Sequence, residues 1–325
     1  MSRRVVVTGA TGFIGRHLSR HLVASGADVR AVLRPESTQM APAGVATVRT
    51  PLEPSALEAA FRGADVVVHL AGVTSAVRPQ MYTEVNVEGA RAVATAAHQA
   101  GARLIHISSL AAAGPAPAGA PRREDDPPAP ITPYGRSKLA GEGVVASTSG
   151  LRWTILRPAV VYGPGDRALL PVFRLAERGV LPLVGRPGAA YTFVHVSDVV
   201  RAIDAAIDRR RDGEIFFVGH PLPATAAELL EHIRRVVGRR ALVIRIPQPV
   251  VRAAAIVCDI AGRIAGRSLP LNRARFAELS AEGFVCRVDR LHERLGVAAA
   301  IDLADGLAET VARYRDAGWL KPSAR

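Results

Sequence analysis

The sequence predicts an α/β protein with a doubly wound parallel sheet, followed by a smaller α/β lobe that would bind the substrate. Short apolar segments alternate with longer helical patterns through the N-terminal half, and a glycine-rich turn follows the first apolar segment directly. This alternation favours parallel strands joined by helices. Only 5% of the residues are aromatic, so the core must consist mainly of Ala, Val, Leu and Ile, as is typical of sheets covered on both faces.

The predicted elements of the first half follow one another in a regular order. Strands are predicted at 4–8, 29–33, 46–49, 66–70, 104–108 and 154–157. Helices are predicted between them at 15–25, 54–62 and 87–100. The segment 114–133 is rich in Pro, Ala and Gly, and loops of that length are usually functional or mobile.

A change of pattern after Pro158 divides the chain into two predicted units. The first covers residues 1–164 and contains the βαβα alternation, and the second covers 165–325. Strand-like segments return at 190–194, 214–218 and 241–246. We expect part of 190–220 to rejoin the first sheet.

Composition argues against a nucleic-acid-binding protein. The net charge is +13 from 42 basic and 29 acidic residues, which raises the question of anionic partners. The arginines are scattered, however, and no basic stripe with interleaved aromatics occurs. We therefore expect a small-molecule substrate and no nucleic acid.

The cysteines and the N-terminus favour a cytoplasmic protein. Cys258 and Cys286 form no metal-binding or redox motif. The first strand starts almost at once, so no signal peptide is expected. No window of 18 uncharged apolar residues exists, so no transmembrane span is expected either.

A glycine motif between the first strand and the first helix predicts a dinucleotide site. Residues 8–15 read TGATGFIG. Glycines at this spacing allow a tight turn, a close backbone approach to a pyrophosphate and close packing of helix on strand. The helix N-terminus supplies N–H groups for the phosphates. The predicted contacts are Gly9, Thr11, Gly12, Phe13, Ile14 and Gly15.

The end of the second strand favours NADP over NAD. NAD sites place a carboxylate there for the ribose 2′-hydroxyl, whereas an arginine suits a 2′-phosphate. Here Arg34 follows the strand and no acidic residue occurs before Glu36. Arg34 is also consistent with an ordinary surface residue in an arginine-rich chain.

Tyr134 and Lys138 place a phenol and an ammonium one helical turn apart. Residues i and i+4 share a helix face, so the two groups can converge on one atom. The chain has only two lysines, Lys138 and Lys321, which suggests that arginine does not serve at position 138. An exposed pair on an amphipathic helix is the alternative.

These motifs, together with others in the same order, resemble the extended short-chain dehydrogenase/reductase family, often called the NAD-dependent epimerase/dehydratase family. That family has a Rossmann sheet, and the pattern here is most similar to its 3β-hydroxysteroid dehydrogenase-like members. The matching segments are 8–15, 69–72, 85–87, 107–109, 134–138, 157–165, 193–199 and 314–320.

The resemblance implies three catalytic residues. Tyr134 would be the general acid/base, and Lys138 would bind the nicotinamide ribose and hold the pKa of Tyr134 down. Ser109 would polarise the same substrate oxygen; Ser108 is the alternative.

Other residues receive supporting roles from the same resemblance. Leu70, Ala71, Gly72 and Pro158 would line the cofactor, and Asn86 would hold the strand–helix geometry near the site. Two further polar residues favour structural roles: His195 among apolar neighbours, and Asp198 as the cap of a helix beginning at Val199. His69, at a strand end, favours a structural or cofactor-lining role.

The leading functional hypothesis is an NAD(P)-dependent dehydrogenase or reductase that acts on a bulky, partly apolar secondary alcohol or ketone. Leu110 and Ala111 follow Ser109 where 4,6-dehydratases of the family carry an Asp-Glu pair, so dehydration is not expected. A nucleotide-sugar 4-epimerase is the main alternative, and a non-catalytic dinucleotide sensor is the third.

The segment 247–271 allows two interpretations. It is apolar, with charged residues at roughly helical spacing. It is consistent with an ordinary helix of the second lobe, or with a lid or a peripheral contact on an anionic membrane. The family resemblance also implies a homodimer.

Overall fold

A computed structural model describes residues 3–322 and contains a parallel sheet of seven strands. Its order is β11-β6-β5-β4-β1-β2-β3, and every pairing in it is parallel. The strands are β1 Arg4–Thr8, β2 Asp28–Leu33, β3 Ala46–Arg49, β4 Val66–His69, β5 Arg103–Ile107, β6 Trp153–Pro158, β7 Val160–Tyr162, β8 Val180–Leu183, β9 Ala190–Tyr191, β10 Phe193–His195, β11 Glu214–Val218, β12 Ala224–Thr225, β13 Leu242–Arg245 and β14 Gly283–Phe284. The predicted doubly wound fold is confirmed.

The helices follow the predicted alternation in the first half and dominate the second. They are α1 Phe13–Ala24, α2 Pro54–Phe61, α3 Gln80–Tyr82, α4 Gly89–Gln99, α5 Leu110–Ala113, α6 Pro133–Ser147, α7 Leu170–Glu177, α8 Val196–Arg209, α9 Ala226–Val237, α10 Gln248–Ile264, α11 Arg273–Ser280, α12 Asp289–Leu295 and α13 Leu303–Asp316. A π-helical turn, Thr83–Glu88, joins α3 to α4. Within residues 3–322, no helix is long and apolar enough to cross a membrane.

The sheet is covered on both faces, which explains its nearly uninterrupted apolar strands. Side chains of α1, α8 and α12 pack on one face with alternate residues of β1, β2 and β4. Side chains of α2, α4 and α6 pack on the other face with the intervening residues. Since successive strand residues point to opposite faces, both sets must be apolar.

The second lobe has its own core, built around Tyr162, Phe173 and Tyr314. Short strands pair there in small sheets: β10 with β7, β13 with β8, and β12-β9-β14. Of the segment 190–220, β11 pairs with β6 in the main sheet, whereas β9 and β10 lie in the small sheets. The predicted strand at 190–194 is therefore two short strands outside the main sheet.

The prediction that Asp198 caps a helix at Val199 is wrong. Helix α8 begins at Val196, and its N-cap is His195, whose ring accepts a hydrogen bond from the Ser197 N–H. The buried Asp198 carboxylate instead accepts hydrogen bonds from the N–H groups of Ala300 and Ile301, at 3.2 and 3.1 Å. The carboxylate therefore fastens the segment before α13 to α8.

The sheet order reverses between β1 and β4, which positions the functional cleft. Chain connections leave β1 toward β2 on one side, and later strands are added beyond β4 on the other. Ligands of open α/β sheets bind outside the carboxyl ends of the strands at such a switch point. The segments that follow β1, β2, β4, β5 and β6 at this edge hold the predicted site residues.

Candidate active site

The glycine turn after β1 is tightly packed against the end of β4. Gly9 has φ +73°, and a Cβ there would lie 2.6 Å from the Ala71 nitrogen. A Cβ on Gly15 would lie 2.1 Å from the Gly9 carbonyl oxygen. A larger residue at Gly9 would push the turn away from the segment after β4, and one at Gly15 would push α1 away from the turn. The glycine turn therefore leaves room for a pyrophosphate held by backbone groups.

Helix α1 begins within this turn and presents its free N–H groups to the same place. Gly12 is the N-cap and has no side chain to occupy the helix end. Phe13 and Ile14 form the first turn, and the carbonyl oxygen of Thr11 accepts a hydrogen bond of 2.9 Å from the Arg16 guanidinium. The helix N-terminus thus remains available to an anion.

Arg34 lies directly after β2, beside the strand that carries the glycine turn. Its side chain is 74% exposed, and its Nε lies 3.4 Å from a Glu36 carboxylate oxygen. An exposed pair at this distance holds the guanidinium only weakly. Arg34 is therefore free to turn toward a ligand at this edge of the sheet.

Asn86 connects the segment after β4 to α6. Its side chain accepts a hydrogen bond from the Val73 N–H and donates to the Val73 carbonyl and the Ser137 hydroxyl, at 2.8, 2.9 and 2.9 Å. A Cβ on Gly72 would lie 3.0 Å from its amide oxygen. Leu70, Ala71 and Gly72 are thereby held between the glycine turn and Lys138.

Ser109 and Tyr134 lie on two helices that approach each other unusually closely. Ser109 caps α5, where its hydroxyl accepts a hydrogen bond from the Ala111 N–H at 3.2 Å. Thr132 caps α6 in the same way, through the N–H of Gly135. A Cβ on Gly135 would lie only 2.3 Å from the Ala111 carbonyl oxygen. This contact brings the two hydroxyl groups to the same place.

Burial controls the acidity of Tyr134. It raises the pKa of the phenol to about 12, and the neighbouring Ser109 hydroxyl partly offsets that rise. The phenol is therefore protonated near neutral pH and can donate a hydrogen bond. The Tyr82 ring lies 6.4 Å away, centroid to centroid. Burial sets the net direction of this shift, and the lowering of the pKa by Lys138 stays a prediction.

Lys138 lies one helical turn after Tyr134 on α6, and its ammonium is buried. The Nζ donates a hydrogen bond of 2.7 Å to the Ile107 carbonyl oxygen at the end of β5. Burial lowers the pKa of Lys138 to about 8, with Glu142 acting in the opposite direction. An ammonium has three donors, so after this bond Lys138 can still donate to a ligand hydroxyl.

Two histidines that share a face of the sheet with Lys138 are held neutral. Burial and the Lys138 charge lower the pKa of His69 to about 3 and the pKa of His106 well below its usual value. Their rings lie 5.3 Å apart, and the Nδ1 of His69 lies 2.7 Å from the Thr8 hydroxyl. The sequence assigned His69 a structural or cofactor-lining role and did not single out His106.

Glu278 and Tyr82 are site residues that the sequence analysis missed. Glu278 lies on α11, where it accepts a hydrogen bond of 3.1 Å from Arg275, and burial raises its pKa. Its charge acts on both Tyr134 and Tyr82. No local motif marks α11, which reaches the site only through the fold. His195 is buried away from this cluster, against Tyr162 at 5.5 Å.

Comparison with known proteins identifies the family. The model for the NAD dependent epimerase/dehydratase family matches residues 5–219. The chain is 33% identical to ceramide reductase of Caulobacter vibrioides over 97% of its own length and 96% of that protein. This chain belongs to the NAD dependent epimerase/dehydratase family. It is thus an enzyme of the extended short-chain dehydrogenase/reductase type, which confirms the resemblance seen in the sequence.

The names of similar proteins refer to reactions that differ from one another. Sterol demethylase protein B of Methylococcus capsulatus is 29% identical over 97% of this chain and 99% of that protein. The structure of Thermus thermophilus UDP-glucose 4-epimerase in complex with NAD has a TM-score of 0.78 and 27% identity, covering 97% of this chain and 99% of that one. Family membership therefore indicates a nicotinamide cofactor and leaves the substrate open.

The site residues can make one chemical contribution together. Ser109 and Tyr134 present two hydroxyl groups that can hydrogen-bond a single oxygen, and Lys138 supplies a buried ammonium one helical turn after Tyr134. A nicotinamide bound along this edge would supply or accept a hydride. Within the described residues, no group of three metal-binding side chains exists.

Lys138→Met tests whether the buried ammonium has its depressed pKa. In the folded protein Lys138 loses its proton near pH 8, and in the unfolded chain near 10.5. Between these values the unfolded state binds more protons, so stability rises with pH. The wild-type free energy of unfolding, relative to Lys138→Met, should increase by up to about 3 kcal/mol from pH 7.5 to 10.5.

Urea unfolding at a series of pH values measures this difference. Lys321→Met removes the other lysine, which is exposed, and serves as the matched control. The quantity compared is the free energy of unfolding of the wild type minus that of Lys138→Met. If this difference stays constant or falls from pH 7.5 to 10.5, the pKa of Lys138 is not lowered in the folded protein.

Proposed function

We propose that this protein is an NADP-preferring oxidoreductase that interconverts a ketone and a secondary alcohol on a bulky, largely apolar substrate. In the reductive direction Tyr134 donates its proton to the carbonyl oxygen, and Ser109 donates a second hydrogen bond to the same atom. Lys138 binds the nicotinamide ribose and stabilises the phenolate that remains. The phenolate then takes up a proton from solvent.

The residues beside Ser109 carry this proposal. Helix α5 continues from Ser109 with Leu110 and three alanines, and Leu110 is buried. Leu110 and Ala111 stand where 4,6-dehydratases of the family carry an Asp-Glu pair, which favours hydride transfer over elimination. The Caulobacter vibrioides and Methylococcus capsulatus relatives match this chain over nearly its whole length, and their names refer to ceramide and sterol chemistry. An apolar substrate agrees with the apolar residues after Ser109 and with the names of these two relatives.

A nucleotide-sugar 4-epimerase is the second candidate. The likeness to the Thermus thermophilus epimerase favours it, since an epimerase begins with the same hydride transfer at a carbinol carbon. It differs in returning the hydride, so the cofactor shows no net change. Steady turnover of reduced cofactor with a ketone supports the first candidate, and interconversion of UDP-sugars without cofactor turnover supports the second.

Three further properties stay predictions. Arg34 at the end of β2 supports the preference for NADP, and its exposed, weakly paired guanidinium is suited to a 2′-phosphate. The cytoplasmic location and the homodimer rest on the sequence and the family resemblance alone.

Tyr134→Phe should abolish most of the reductase activity. The substitution removes the proton donor and keeps the ring, so kcat should fall about 10²–10⁴-fold, while the Kd for NADPH stays close to that of the wild type. The assay follows NADPH absorbance with a panel of long-chain ketones and keto-sterols. Tyr314→Phe, which removes a phenol oxygen from the core of the second lobe, is the matched control, and a wild-type rate for Tyr134→Phe would refute the assignment.

Arg34→Asp should reverse the cofactor preference. Loss of a charged hydrogen bond to the 2′-phosphate should weaken NADPH binding by about 10–100-fold. The affinity for NADH, measured by the same fluorescence titration, should be unchanged or improved and serves as the internal control. Equal NADPH affinity in both proteins would show that Arg34 does not contact the cofactor.

A further inference from the structure

Helix α10 turns its larger apolar side chains toward solvent. Val250, Val257, Ile260 and Ile264 are 56, 64, 53 and 84% exposed. With the exposed Ala253 and Ala261 they recur at helical spacing and form one stripe. We refer to these six residues as the α10 face. A helix on the surface of a soluble domain has the opposite arrangement, so the α10 face indicates a binding surface.

The inward side of α10 is made of small residues. Val251, Ala255 and Gly262 are buried, and a Cβ on Gly262 would lie 2.8 Å from the Arg267 carbonyl oxygen. Packing against the protein is therefore achieved by the side opposite to the α10 face. Strand β13, which leads into α10, adds further exposed apolar side chains.

The charges around the α10 face are almost all positive. Six arginines in the segment 239–267, which contains β13 and α10, are exposed, and within residues 3–322 none has a carboxylate within 4.0 Å. They are Arg239, Arg240, Arg245, Arg252, Arg263 and Arg267. The one acidic residue of this segment, Asp259, is bound by Arg273. An apolar stripe flanked by unpaired arginines is complementary to an anionic lipid surface.

A cavity of about 510 Å³ opens at the C-terminal end of α10. Its lining includes Arg78, Arg263 and Arg267 and the serines at 75 and 268, with no acidic residue. Such a set of donors suits a phosphate group. The other wall is the segment 75–81, which directly precedes Tyr82, whose ring neighbours that of Tyr134.

We propose that the α10 face and its arginines dock on the surface of an anionic phospholipid bilayer, with a lipid phosphate in the arginine-lined cavity. The apolar side chains enter the boundary between headgroups and acyl chains, and the arginines contact lipid phosphates. Helix α11, which packs against α10 and carries Glu278, then lies between the bilayer and Tyr134. This surface is separate from the hydride-transfer site.

Vesicle flotation tests the proposal with the full-length protein. Wild type should float with vesicles of equal parts phosphatidylglycerol and phosphatidylcholine. It should bind vesicles of phosphatidylcholine alone far less, and added salt should weaken the binding. Val257→Glu/Ile260→Glu should lower the binding on the order of tenfold or more, because two charged groups would have to enter the interface.

Matched variants separate the surface from general effects. Leu222→Glu changes another exposed apolar residue, and Arg20→Gln/Arg62→Gln alters the charge on the first domain. Both should float like wild type, whereas Arg263→Gln/Arg267→Gln should not. Tyr134→Phe should still float, so a failure of the proposed reaction would leave this result unaffected.

Three results would overturn the proposal. The first is equal flotation of wild type and Val257→Glu/Ile260→Glu, and the second is no flotation of the wild type. The third is a wild-type dimer, measured by light scattering, that Val257→Glu/Ile260→Glu converts to a monomer, since a second copy would then cover the α10 face. Thermal unfolding and turnover of a short water-soluble ketone should be unchanged in this variant, which shows that it is folded.

Discussion

The close packing of α6 against the ends of β5 and α5 is the constraint on which the site depends. Gly135 lies against the Ala111 carbonyl, and Gly141 lies against the Asn86 carbonyl, where a Cβ would be 2.5 Å from the oxygen. The buried hydrogen bond from Lys138 to the Ile107 carbonyl fastens the helix between these two contacts. Tyr134, one turn earlier, is thereby held beside Ser109. A larger residue at either glycine would separate the two hydroxyl groups.

The same packing explains why, among the buried basic side chains that the structure describes near Tyr134, only Lys138 carries a positive charge that is not paired with a carboxylate. His69 and His106 lie on the same face of the sheet as Lys138, and burial together with the ammonium keeps them neutral. Deeper along α6, Glu142 is paired with Arg157 through two hydrogen bonds of 2.9 and 2.6 Å. The charge of Arg157 is thus compensated, whereas the ammonium of Lys138 is held by a carbonyl. Of these two buried cations, Lys138 therefore carries the charge that is not paired with a carboxylate, one turn along α6 from Tyr134.

Short contiguous motifs predicted the local features of the candidate site. The turn at Gly9–Gly15 joins β1 to α1, and Tyr134 and Lys138 lie one turn apart on α6, as predicted, whereas the roles of these residues stay predictions. The capping role predicted for Asp198 was wrong because the carboxylate binds the N–H groups of Ala300 and Ile301, which are more than 100 residues away in the sequence. Glu278 was missed for the same reason, since only the fold brings α11 to Tyr134. For α10, periodicity revealed an amphipathic helix but not that its larger apolar residues face outward.

The central claim is that these residues promote a net hydride transfer between a nicotinamide and a carbonyl carbon. The most direct test is a single-turnover reaction of the enzyme with a long-chain ketone and NADPH that carries deuterium at both C4 positions. Mass spectrometry of the alcohol should find one deuterium on the carbinol carbon in wild type, and no product with Tyr134→Phe on the same timescale. An alcohol without deuterium, or deuterium acquired only from heavy water, would contradict hydride transfer at this site.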